Sequence, residues 1–334
     1  MRCIKAMENK KMKKTIALVI PYFGKFHNYF SIFLKSCAYN PTVDFFVFTD
    51  IVENYDYPPN VHRVIMSFTA LKERIQKLYD FEIVLNEPYD LCDFKVAYGE
   101  IFQEYLEPYD FWGFCDCDLI YGDIRHFLTE ELLEKYEKLF MRGHFTLFRN
   151  VAEVNQLYRN EIDGVKQYEV AFSEAGAHHF DEGYPEDVPG INRIFQDAGI
   201  AVFDEYYFAD IDVEHYAFRQ SDLKDTEQEQ RKEKQSVFAW EQGKLYRYYS
   251  ENNVIRKEEF MYIHLQKRKM KNLILNVKQA EQFLIMPNKF TDYVNINAGN
   301  IKRFNRNRIY ISRIYLRVKT GIVRRISFGG KNAK

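Results

Sequence analysis

The sequence predicts an α/β fold: a mixed, mostly parallel sheet flanked by helices, with a basic helical extension at the C-terminus. Three observations point there. Short apolar runs of strand length alternate with stretches of helical spacing over the first two-thirds of the chain. One of those runs, "YDFWGFCDCDLI", reads as a central buried strand that ends in a cluster of acids. The last 42 residues carry no acid but eleven Lys and Arg, with apolar residues recurring at helical spacing.

Along the chain, "KKTIALVIPYFG" is a strand ending in a Pro/Gly loop, and "FHNYFSIFLKSCAYN" a helix stopped at Asn40-Pro41. "VDFFVFTD" is the second strand, closed by Asp50; "VHRVIMS" is a third and "FTALKERIQKLY" a helix. Another helix lies in "DLCDFKVAYGEIFQEYL" before the central strand. "EHYAFRQSDLKDTEQEQRKEKQS" is a polar surface excursion, and "VFAWEQGKLYRYY" a hairpin around Gln242-Gly243. "EEFMYIHLQKRKM" is a late strand and basic loop. The expected division is a catalytic-size domain over 14–275 and an extension over 276–334. No internal repeat is present.

Composition narrows the class. With 334 residues, 46% of them hydrophobic, 25 Tyr and 29 Phe, the chain has ample material for a core and is not a disordered sequence. Cys3, Cys37, Cys92, Cys115 and Cys117 form no regular framework, which predicts a reducing compartment, the cytoplasm. "TIALVIPYF" is too short to span a bilayer, and Pro21 and Tyr22 stand where a signal peptide would be cleaved. The net charge of −1 divides into +11 after Asp292 and −12 before it, so the tail seeks an anionic partner. The acidic body carries no nucleic-acid-binding module, and no nucleic-acid partner is expected.

The chemistry concentrates in "DFWGFCDCDLIYGDI". If the strand persists through this stretch, Asp116 and Asp118 share one face, with Cys115 and Cys117 opposite. Two carboxylates so placed repel unless a cation separates them, and Mg²⁺ or Mn²⁺ takes such oxygen ligands. A solvated acidic turn is the plainer alternative. Cys115 and Cys117 lack the second pair that a zinc site requires.

The stretch resembles the D-x-D element of GT-A glycosyltransferases, which bind a nucleotide-sugar diphosphate through a divalent metal. In order along the chain, "IALVIPYFGKF" is similar to the first strand and nucleotide-binding loop of that fold, and "FFVFTD" to its second strand. "LCDFKVAYGEIF" is similar to a helix preceding D-x-D in bacterial polysaccharide-synthesis members, and "GHFTLFRN" to the segment bordering the acceptor. "YIHLQKRKM" resembles a late His-x-x-Lys element, without the Gly and Lys-Pro-Trp ending found in glycogenin-like enzymes. The resemblance covers Lys14 to Met270. It implies metal ligands at Asp116, Asp118 and His264, with Mn²⁺ or Mg²⁺. It implies donor contacts at Tyr22, Asp50, Lys95, Asp116 and Lys267, and a nucleotide sugar, by default a UDP-sugar.

If the reaction inverts the anomeric centre, a carboxylate must deprotonate the acceptor hydroxyl. "HHFDEGYPEDVPGINRIF" supplies Asp181, then Glu182, with Glu186 and Asp187 beyond; acids before a helix are equally ordinary capping residues. His144 and Arg149 are candidates to border the acceptor. The acceptor implied is a glycan or a lipid-linked glycan in cell-surface polysaccharide assembly. The tail, with Phe304, Ile311, Ile314, Tyr315, Val318, Ile322 and Ile326 on one face, suits an anionic membrane surface, placing the protein peripherally on the inner face of the cell membrane. Packing of that stripe on the body is the alternative. Two rival functions are a haloacid-dehalogenase-like D-x-D phosphatase, disfavoured because Leu119-Ile120 replace its Gly-Thr, and a non-catalytic metal- or glycan-binding protein.

Overall fold

The structure is a computed structural model that describes residues 13–183, 189–212, 216–218, 235–266 and 268–305. The chain divides into two compact units between Tyr207 and Phe208.

The first unit is built on a seven-stranded sheet. Its strands are β1 (Ile16–Pro21), β2 (Val43–Thr49), β3 (Val61–Ile65), β4 (Phe111–Cys115), β6 (Lys138–Arg142), β7 (Phe145–Arg149) and β8 (Val202–Phe203); a short β5 (Leu119–Tyr121) follows β4 outside this sheet. The order is β3-β2-β1-β4-β7-β6-β8. The first four strands are mutually parallel, β7 is antiparallel to both β4 and β6, and β8 is parallel to β6. The expected mixed, mostly parallel sheet is therefore present in this unit. β4, "FWGFC", is buried throughout, as its unbroken apolar run requires of a strand covered on both faces.

Helices cover the sheet. Helix Phe30–Ala38 buries Phe30, Phe33, Leu34 and Cys37. Helix Phe68–Gln76 starts where Ser67 accepts the Ala70 amide, and buries Leu71 and Ile75, four residues apart on one face. Residues 88–106 are not one helix but a chain of short turns, including Leu91–Phe94, Lys95–Ala97 and Tyr98–Ile101. Gly99 within it lets Trp112 lie against the backbone: a Cβ there would come within 2.8 Å of the indole. Trp112 stacks on Phe148 and donates its indole N–H to Asn155 at 2.6 Å.

This topology decides which strand ends share an edge of the sheet. From β1 the chain builds outward through β2 and β3, then returns to add β4 on the other side of β1. The strand order reverses at β1, and in open α/β sheets the carboxyl ends of the strands at such a point are where ligands are generally bound. Val19 pairs with Phe114, so the residues after Ile20 and after Cys115 emerge at the same edge.

The second unit contains β9 (Phe208–Asp210) and β13 (Tyr262–His264), which pair in parallel. Its larger sheet contains β10 (Ser236–Glu241), β11 (Lys244–Glu251), β12 (Val254–Phe260), β14 (Lys271–Leu273), β15 (Gln282–Met286) and β16 (Lys289–Asp292), in the order β12-β11-β10-β15-β16-β14. The β10–β11 hairpin turns at Gln242-Gly243 as expected, both residues having positive φ, the geometry of a two-residue turn that matches strand twist. Trp240 and Phe283 stack in its core.

Two sequence expectations change here. β15 and β16 occupy part of the 276–334 segment expected to be a helical extension: "QFLIM" and "KFTD" add strands to the sheet begun by β10. Among the described residues of that segment, helix appears at Ala298–Phe304, capped by Asn297. Its Ile301 packs on Val237, Ala239 and Leu284, with Phe304 beside them, and Asn305 donates to the Ser236 carbonyl. The start of the amphipathic stripe thus packs within its own unit. The rest, from Ile311 on, lies outside the described residues.

Gly113 sits where β4 and β7 approach closely. A Cβ there would strike the Thr146 carbonyl and the Leu147 side chain, both fixed in the neighbouring strand. Gly113→Ala is expected to destabilise the protein by about 1–3 kcal/mol, read as a lower urea midpoint with an unchanged m-value.

Candidate active site

β4 ends at Cys115, and Asp116-Cys117-Asp118 form the turn into β5. The strand does not carry through the acids, which stand in a turn, yet Asp116 and Asp118 lie together as expected, with carboxylate oxygens within 4.8 Å of each other, while Cys115 and Cys117 are both buried. One last ladder bond, from the Asp116 amide to the His144 carbonyl at 3.0 Å, fixes the turn's entry. The Asp118 side chain is buried, whereas that of Asp116 is 38% exposed. Burial pushes both cysteine thiols up, which suits inert core residues. The Tyr22 and Tyr29 phenols are raised as well, first by burial and then by the nearby charges of this turn.

Asp116 is met by Lys95. The Lys95 ammonium lies 3.0 Å from Asp116 Oδ1, donates to the Gly143 carbonyl at 2.6 Å, and stands 3.8 Å from Asp181 Oδ2. Its burial works against the charge, but Asp116, Cys92 and Asp181 outweigh it and hold the ammonium above the ordinary lysine range. Burial pushes the Asp181 carboxyl up to about 7; Lys95 opposes the shift, while Glu182, Asp93 and Asp116 add to it. Glu182 Oε2 accepts the Gly143 amide at 2.8 Å. Gly143 has no room for a side chain, because a Cβ would come within 2.5 Å of Asp181 Oδ2. Lys95, Asp116, Asp181 and Glu182 are therefore gathered around one turn between β6 and β7.

The segment bearing Asp181 is held from both sides by residues that sequence reasoning missed. The buried Asp93 accepts the amides of His178 at 3.0 Å and Phe180 at 2.9 Å. Asn192 donates to the carbonyls of Glu182 and Met141, and its own Oδ1 receives the ammonium of Lys138. Lys138 is fully buried, and burial pulls its ammonium down to about 7. The one sequence signal was an acid, Asp93, two residues before Lys95 between the apolar residues Leu91 and Phe94 of that run.

Tyr22 and Asp50 both shape the loop after β1. Asp50 Oδ1 accepts the Gly24 amide at 3.1 Å, and the Tyr22 ring stacks on Phe26 at 5.1 Å while its hydroxyl donates to the Lys25 carbonyl. His144 is buried beside the acid turn, to which its carbonyl is bonded. Arg149 is elsewhere. It pairs in register with Phe111 at the far end of β4, bonds Glu137 and three carbonyls, and stacks on Phe111. It is a structural residue and does not border the site.

In the second unit, His264 Nδ1 lies 2.7 Å from Asp210 Oδ1, and the pair is buried. Gln266 donates to the same carboxylate oxygen at 2.8 Å. A carboxylate on Nδ1 fixes the tautomer that keeps the lone pair on Nε2, the arrangement usual for a metal-binding histidine. Asp210, too, was missed, though it closes a short apolar strand. Lys267 lies outside the described residues; its neighbour Arg268 is a buried structural residue bonded to the carbonyls of Asp212, Tyr216 and Pro287.

The donor set fits a hard divalent ion. Asp116 and Asp118 offer carboxylate oxygens from one short turn, the first partly open to solvent, and burial pushes up the Cys117 thiol between them and the Cys115 thiol before them.

The Asp181 carboxyl gives a test by pH. Its folded-state pKa lies above its unfolded value, so the stability it contributes is full below about pH 4 and falls as pH rises towards 7. The wild type is expected to lose roughly 2–3 kcal/mol from this group between pH 5 and pH 8. In Asp181→Asn that part of the loss disappears, as measured by urea unfolding at the two pH values.

Comparison with known proteins gives a family and distant structural likenesses. No curated protein matches the sequence. The fold is similar to the crystal structure of the galactosyltransferase LgtC in complex with donor and acceptor sugar analogs, with a TM-score of 0.31 and 10% identity, over 58% of this chain and 75% of that one. A family model described as a family of unknown function, DUF6625, matches residues 18–294. That match spans most of the chain, and the protein belongs to the DUF6625 family.

Proposed function

We propose that the protein is a metal-dependent glycosyltransferase that moves a sugar from a nucleotide sugar, with UDP-sugars the first donors to test, to a glycan or lipid-linked acceptor in surface-polysaccharide assembly. The observation that carries this reading is the Asp116/Asp118 turn at the carboxyl end of the central strand, at the point where the strand order reverses. Asp116 and Asp118 are the proposed oxygen ligands of Mn²⁺ or Mg²⁺. His264 is the proposed nitrogen ligand, supported by the Asp210 carboxylate on its Nδ1. When bound, the ion supplies Lewis-acid neutralisation of the departing diphosphate.

The protein's own groups do the rest. Tyr22 and Asp50 form the loop proposed to receive the nucleoside, and Lys95 and Lys267 are the proposed cations for donor phosphate. Asp181 is the proposed base. Its carboxyl, poised about neutrality by burial, takes the proton of the acceptor hydroxyl as that oxygen attacks the anomeric carbon. Glu182, oriented by the Gly143 amide, is the second candidate. Among the described residues no helix is long and apolar enough to cross a membrane. The basic tail is the proposed contact to an anionic membrane surface, which would bring the site to a lipid-linked acceptor. Truncation after Asn305 should abolish salt-sensitive co-sedimentation with anionic vesicles. Equal binding by the truncated and full chains would remove that role.

The decisive experiment is a screen of nucleotide sugars with Mn²⁺, scored by thermal shift and by donor hydrolysis. The double variant Asp116→Asn, Asp118→Asn should fold and show no transfer, and wild-type transfer should stop in excess chelator; full activity in chelator would overturn the metal reading. Asp181→Asn should lower turnover by about 10²–10⁴-fold at saturating acceptor with donor binding kept. Near wild-type turnover would take the base role from Asp181.

A further inference from the structure

The carboxylate proposed as a metal ligand is already engaged by a cation of the protein's own. We infer that Lys95 is a resident cation of the site, which holds Asp116 against a divalent ion and makes metal binding depend on the arrival of a nucleoside diphosphate. The inference rests on the reading of Asp116 as a metal ligand and adds to it an order of binding.

The geometry is specific. The ammonium makes a direct bond to Asp116 Oδ1 at 3.0 Å and is pinned from the other side by the Gly143 carbonyl at 2.6 Å. Asp181 lies 3.8 Å away, and the face of the Phe114 ring lies 5.3 Å from the ammonium. The Lys95 side chain is 10% exposed, whereas that of Asp116 is 38% exposed. The lysine therefore reaches Asp116 from the protein interior, and a metal must reach it from the crevice. Ligand oxygens sit about 2.1 Å from Mg²⁺, so an ion on Asp116 would lie within roughly 5 Å of the ammonium. Like charges at that spacing disfavour each other strongly.

A diphosphate reverses the sign of that interaction. Its oxygens carry negative charge that would attract both cations, so ammonium and metal would cooperate once the donor is present. Binding coupling is reciprocal: whatever the diphosphate adds to metal affinity, the metal adds to diphosphate affinity. Lysine suits the role because its charge is compact and carried on a flexible four-carbon stem, able to move from carboxylate to phosphate.

The test is Mn²⁺ binding by the full chain at pH 7.5, read from the electron paramagnetic resonance signal of free Mn²⁺, with and without UDP. Wild type should bind Mn²⁺ weakly alone and at least tenfold more tightly with UDP. Lys95→Met, which keeps the stem and removes the charge, should bind Mn²⁺ alone at least tenfold more tightly than wild type, with a smaller gain from UDP. Lys95→Arg should behave as wild type. If Lys95→Met binds Mn²⁺ alone no more tightly than wild type, the resident-cation role is overturned while the metal site stands. If neither protein binds Mn²⁺ under any condition, the metal reading falls and takes this inference with it. Should Lys95→Met fail to fold by circular dichroism, wild type decides: equal Mn²⁺ affinity with and without UDP overturns the inference.

Discussion

One ammonium holds the first unit's acid cluster together. Lys95 stands between Asp116 and Asp181, and Asp93 lies two residues before it in the chain. Asp93, Asp181 and Asp118 are nearly buried, and carboxylates gathered in a low dielectric repel unless a cation or a proton intervenes. The turns over 91–97 answer this from one short segment. Asp93 is satisfied by two backbone amides and so fixes the path of 178–180, while Lys95 neutralises the side chains that this path delivers. Residues two apart on a helical turn point in different directions, which lets adjacent positions address the two partners separately. The broken helical geometry over 88–106 is thus tied to the placement of the acids.

How much of this was legible in the sequence follows from the range of the interactions. The central strand and the acids at its end were legible because burial on both faces leaves an unbroken apolar run, and because an abrupt cluster of carboxylates after it is locally visible. That the acids lie in a turn was not, since strand and turn differ there only in backbone bonds to a distant partner. The supports of the site are long-range: Asp93 reaches residues 85 and 87 positions away, and His264 meets Asp210 across 54. Nothing in a single sequence announces such pairs. Arg149 was misplaced for a related reason. Strand direction is invisible in composition, and because β7 runs antiparallel to β4, its carboxyl end lies at the edge away from the site.

The second unit shows the same limit from another side. Its hairpin was readable, because Gln242-Gly243 between alternating strands is a local signal. β15 and β16 were not, because each is short and β15 meets β10 only across the intervening β11 to β14, with β16 added beside β15. The helix at 298–304 carries the first turn of an amphipathic pattern that fits a membrane surface, yet Ile301 is spent on the sheet of its own unit. An apolar stripe records that a face is covered and says nothing of what covers it.

The charges of the first unit make a single argument of these features. Asp116 and Asp181 bring two carboxylates to one lysine, with Asp118 in the same turn as Asp116 and Glu182 next to Asp181. A cluster so unbalanced has three ways to reach neutrality. A proton is one, and the Asp181 carboxyl is raised to about 7, where it holds a proton far more readily than an exposed aspartate does. The Lys95 ammonium is the second. A divalent ion on the exposed side of Asp116, as in the proposed function, would be the third. The proton and the ammonium act on the same carboxylates: Lys95 lowers the Asp181 carboxyl that burial, Glu182, Asp93 and Asp116 raise. The protonation of Asp181 and the pairing of Asp116 are then linked through the electrostatics of a single lysine.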